Sequence, residues 1–105
     1  MGRFRLEKIE VQFSAIVARL RLVFGRKVPS RPRPQKRAQA GRMVRNELSR
    51  IEEKTAKPRN VVAETVIEIA QKERKKAIRR GDYDDAIVAS IIEYYANQVS
   101  ANKPA

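Results

Sequence analysis

Apolar residues in the stretch RFRLEKIEVQFSAIVARLRLVF, residues 3–24, recur at helical spacing. Leu6, Ile9, Phe13, Ile16, Val17, Leu20, Val23 and Phe24 share one arc of a wheel turned by about 100° per residue. That pattern predicts an amphipathic helix with a wide apolar face, closed by Gly25 as a C-cap. Alternation holds only in pieces, which leaves a strand over residues 5–13 as the weaker option.

Residues 26–35 break the pattern, because Pro29, Pro32 and Pro34 remove backbone donors and pin φ. An extended, polyproline-like segment is expected there, able to span roughly 30 Å at about 3.1 Å per residue. With its prolines and charges it is expected to stay off the core and to find no internal ion-pair partners. Helical spacing returns over residues 36–56, where Ala40, Val44, Leu48, Ile51 and Thr55 form a narrow stripe and Pro58 ends the run. Asn60 then reads as the N-cap of a third helix that buries Val62, Val66, Ile69, Ala70 and Ala77 and closes at Gly81. Asp82 opens a fourth, with Asp85 where a capping box places its acid.

The fourth helix, YDDAIVASIIEYYANQVSA, is apolar over most of its circumference. Tyr83, Ile87, Ile91, Tyr94 and Tyr95 cover one side, and Val88, Ile92 and Val99 the next. Such a helix must be surrounded. The first and third helices can cover one side, so a second copy or another protein is expected on the other. Tyr83, Ile87, Ile91, Ile92, Tyr94 and Tyr95 are accordingly assigned to an oligomer interface. The expected fold is all-α with about four helices. Residues 1–25 form an amphipathic helix, 26–59 a basic Pro/Arg-rich arm with a basic helix, and 60–105 a helical hairpin for packing and self-association.

Charge changes this picture more than composition does. The net charge is +12, distributed as +5 over residues 1–30, +7 over 31–60 and zero over 61–105. Such a field concentrates polyanions without a specific pocket. The excess is Arg-dominated, and the guanidinium fork suits phosphate oxygens. Arg26, Lys27, Arg31, Arg33, Lys36, Arg37, Arg42, Arg45, Arg50 and Arg59 are therefore assigned to nucleic-acid contact, DNA ahead of RNA. No zinc-finger, RNP, KH or helix-turn-helix signature is present, so little sequence preference is expected.

Catalysis has little to build on. The chain has no His and no Cys, its serines lie in no nucleophile context, and its four glycines form no phosphate loop. No enzyme activity, metal, cofactor or small-molecule substrate is expected. The turn GDYDDA would place Ala86 and Ile87 where a calcium loop needs a ligand and a glycine, so capping explains its acids better. Tyr83, Tyr94 and Tyr95 resemble base-stacking aromatics, but their helix carries no Lys or Arg in its body, which favours core or interface roles.

The function these features imply is a non-enzymatic architectural or packaging protein, chromatin-like or of the coat type found in helical nucleoprotein filaments. It would self-associate and coat DNA through phosphate contacts. The alternative is a small helical subunit of a larger ribonucleoprotein or protein assembly, threading a basic arm between partners. Membrane-surface binding through the first helix ranks below both. No secretory signal or transmembrane segment is evident, which suits an intracellular, nucleoid-associated or virion setting.

Overall fold

Pro34 starts a helix where the sequence pattern had it breaking one. A computed structural model describes residues 2–25, 27, 28, 31 and 33–101, with side chains for these other than 2–8 and 10. Four helices follow in order: α1 (Gly2–Phe24), α2 (Pro34–Thr55), α3 (Arg59–Arg80) and α4 (Tyr83–Ala101), with no strand among the described residues. The protein is all-α.

The helix ends follow local chemistry. Pro34 sits at the first position of α2, where its fixed φ suits the helix and its missing N–H is an unpaired group anyway. Arg33, with φ −62° and ψ 150°, is the extended residue before it. Pro58 holds the same extended geometry before α3, so Asn60 lies inside the first turn and does not cap, contrary to its sequence reading. Gly25 and Gly81 both adopt the left-handed conformation expected of C-caps. At Gly81 the turn is a Schellman motif: Asp82 N–H bonds to Ala77 C=O at 2.9 Å and Gly81 N–H to Ile78 C=O at 3.0 Å.

Asp82 caps α4 as expected, accepting from the Asp85 N–H at 3.2 Å. Losing an N-cap acceptor costs about 1 kcal/mol. Asp82→Ala is therefore expected to lower the thermal midpoint by about 4–8 °C. An unchanged midpoint in calorimetry would remove the capping role.

One core joins all four helices. Ile9, Phe13, Ile16 and Leu20 enter from α1, and Ala40, Val44, Leu48 and Ile51 from α2. α3 adds Val62, Val66, Ile69 and Ala70, and α4 adds Val88, Ala89, Ile92, Tyr95 and Ala96. Each helix touches the other three. The stripes read from periodicity on α1, α2 and α3 supply these buried residues; Val17, Val23, Phe24 and Thr55 are part-buried, and the Leu6 side chain lies outside the described ones. With that stripe occupied, the face of α1 that suggested a membrane contact is part of the core, and no described helix is long and apolar enough to cross a membrane.

One residue of the linker expected to stay off the core is packed into it. Val28 is buried in the core cluster, which anchors the linker, and α2 lies within the bundle. The radius of gyration is 13.3 Å, against about 13 Å for a compact chain of this length.

α4 is more fully covered than its sequence suggested. α2 packs on it as well as α1 and α3, so the chain itself covers part of the side assigned to a second copy. Ile92 is fully buried and Tyr95 is 8 % exposed, so neither is available to an oligomer interface. Ile87 and Ile91 are half-buried against the core, while Tyr83 and Tyr94 remain exposed.

Candidate nucleic-acid interface

Ten Lys and Arg residues and no acid lie between Glu10 and Glu47. The fold neutralises these cations selectively. On α1, Arg19 pairs with Glu47, a carboxylate otherwise buried in α2. Arg21 reaches Asp85 at 2.7 Å and Asp84 at 3.9 Å, tying the last turn of α1 to the first turn of α4. The same Asp85 meets Arg80 at 3.6 Å. Arg74 bonds Glu93 at 2.7 Å across the α3–α4 hairpin. The acids are thus spent on α1, α3 and the second half of α2.

Lys27, Arg31, Arg33, Lys36, Arg37, Arg42 and Arg45 are exposed, and none of them forms an ion pair among the described residues. Three have neutral contacts. Lys36 Nζ donates to the Val23 carbonyl at 3.1 Å, which places its charge at the negative end of α1. Arg45 Nε donates to the Gly41 carbonyl at 3.2 Å. The Arg37 guanidinium lies over the Tyr94 ring, 5.2 Å from its centroid.

The structure does not treat the other assigned residues alike. Arg50 sits 3.4 Å from Glu47, and Arg59 sits 3.2 Å from Glu52 with a further bond to Ser49. Both face acids that a phosphate would have to displace. Arg26 lies outside the described residues.

Two features were not read from the sequence. Lys72, Lys75 and Arg79 form an exposed stripe at helical spacing on α3, without ion-pair partners among the described residues. The zero net charge of that half concealed them, because a net charge does not show which cations are exposed and unpaired. Gly41 is the second. Its α-carbon lies against the Tyr95 ring, and the Tyr95 hydroxyl donates to the Arg37 carbonyl at 2.7 Å. A glycine inside a strong helical pattern was the available signal.

The Tyr95 contact brings the start of α2 onto α4 and opens a groove of about 520 Å³ between them. Ile87, Ser90, Ile91, Tyr94 and Tyr95 line one part of it and Arg31 and Arg37 the other. The helix of Tyr94 and Tyr95 carries no Lys or Arg in its body. The linker and α2 supply that charge instead.

No protein-family model, curated protein or solved structure matches this chain.

Proposed function

We propose that the protein is a non-enzymatic nucleic-acid-binding protein that grips the phosphate backbone with little sequence preference. The observation that supports this reading most is the run of seven exposed cations from Lys27 to Arg45, free of ion pairs among the described residues. Ion pairing elsewhere in the fold engages Glu47, Asp85 and Glu93 with other cations. Unpaired, exposed arginines are free to exchange condensed counterions for phosphate. DNA or RNA of any sequence carries the matching charge.

Self-association, the second half of the packaging reading, has less surface to work with than the sequence suggested. Among the residues assigned to it, Tyr83, Ile87, Ile91 and Tyr94 are at least partly accessible, and the last three line the groove. Architectural binding by single molecules is the form of the function that needs no further interface.

The test is a fluorescence-anisotropy titration of duplex DNA across salt concentrations, read alongside light scattering. If about six cations contact phosphates, log K falls with log salt at a slope of about −5. Affinity then drops about a thousandfold between 50 and 200 mM salt. Binding absent at low salt, or indifferent to salt, overturns the proposal. Growth of large particles in the scattering channel would add coating to binding.

A further inference from the structure

The groove between α2 and α4 differs from a plain phosphate track, because its floor is apolar and aromatic. Tyr94 is 46 % exposed, although it is a large ring beside a buried core. Its ring meets Tyr95 edge-on, with centroids 5.1 Å apart and planes at 86°. Tyr95 is itself held by the Arg37 carbonyl and by Gly41, so the platform is rigid. The Arg37 guanidinium lies over the Tyr94 ring and Arg31 lines the same groove, so cationic groups stand beside the aromatic floor. A flat apolar ligand with an attached anion would satisfy both parts at once.

Duplex DNA does not meet that requirement, since its bases are stacked inside and it offers only phosphates at the surface. An unpaired nucleotide does. Its base face can lie on an aromatic ring while the phosphates beside it meet arginine. Resting on the nucleic-acid reading above, we propose that this groove seats an unpaired base on Tyr94 with its flanking phosphates on Arg31 and Arg37. The protein then prefers single strands, or the looped and frayed parts of duplexes, to fully paired DNA. The base face and phosphate are common to single-stranded DNA and RNA, so the groove recognises the chemistry they share.

Tyr94 lies at the surface, so substituting it leaves the core intact. Full-length protein is titrated with oligothymidylate, oligouridylate and a blunt duplex at fixed salt. Tyr94→Ala and Tyr94→Leu are expected to weaken binding of one or both single strands about tenfold, while Tyr94→Phe and Tyr94→Trp retain it. Duplex affinity and the salt slope should not change in any of the four. The Leu variant separates loss of a π face from loss of apolar bulk, and circular dichroism checks that each variant is helical.

A second readout needs no loss of binding. The chain contains no tryptophan, so Tyr94→Trp places a sole indole in the groove. Single strands should quench its emission and the duplex should not. The proposal is overturned if Tyr94→Ala binds single strands as well as the unaltered protein, or if single strand and duplex lose affinity equally. Quenching that rises with protein concentration in the absence of nucleic acid would also overturn it, by assigning the groove to a second copy. Failure of the wider reading looks different: neither single strand nor duplex would show salt-sensitive binding.

Discussion

Replacing Arg31, Arg33, Arg37 and Arg42 together by Gln is expected to weaken duplex binding by about three orders of magnitude at 0.1 M salt. The estimate follows from counterion release. Each phosphate contact contributes about 0.9 to the slope of log K against log salt, so four lost contacts change a slope of about −5 to about −2. None of the four side chains forms an ion pair among the described residues, and all are exposed. The helical content and the thermal midpoint should therefore stay close to those of the unaltered protein. Lys36 is left in place because it serves the end of α1 through the Val23 carbonyl. The informative control is Lys72, Lys75 and Arg79→Gln, which removes similar charge from α3. If that triple flattens the slope and the quadruple does not, the interface lies on α3.

The second large effect is on stability, at the seam between α2 and α4. Gly41→Ala would ordinarily favour a helix by up to about 1 kcal/mol. Here a Cβ would lie 2.6 Å from Tyr95 Cε1 and 2.9 Å from Cζ. The ring has little room to yield, being buried, bonded through its hydroxyl and set edge-on to Tyr94. Overpacking of this kind costs about 1–3 kcal/mol, enough to outweigh the propensity gain. A fall of roughly 10 °C in the thermal midpoint is expected. Tyr95→Ala should cost about 3–5 kcal/mol by itself, as a large aromatic lost from a core. In that background, adding Gly41→Ala should be neutral or stabilising, because the obstacle is gone while the helix preference remains. If the two penalties simply add, the close approach is not what Gly41 provides.

Much of the fold was legible because helix formation and burial leave local marks. The apolar stripes on α1, α2 and α3 recur at 3.6-residue spacing whichever neighbour covers them, so Ile16, Val44 and Val66 could be placed in the core from periodicity. Gly81 and Asp82 mark the α3–α4 turn through backbone preferences that act over a few residues. Local rules failed where two were available at one place. Pro34 can end a helix or begin one, and after the extended Arg33 it begins α2. Asn60 is a good cap, but Pro58 had already set the extended geometry that starts α3.

Charge was legible as a total and not as a pattern of neutralisation. The sequence marks residues 26–59 as the basic region, but it assigns Arg50 and Arg59 the same status as Arg31 and Arg33. Which arginine meets an acid depends on contacts between helices, such as that of Arg19 with Glu47, 28 residues apart. The same is true of α3, where Lys72, Lys75 and Arg79 are exposed and form no ion pair among the described residues, in a half of the chain whose charges cancel on paper.

From sequence alone the protein is a helical, strongly basic chain with its charge excess in the first sixty residues, because composition and helical period are properties of short stretches. The tertiary structure alone decided that α2 packs on α4, that Ile92 and Tyr95 are covered by their own chain, and that Arg37 lies over Tyr94. Tyr95 and Arg37 are 58 residues apart, and the bond between them forms only when α2 packs on α4. No local pattern encodes which two faces meet, since that depends on how all four helices fill one volume at once.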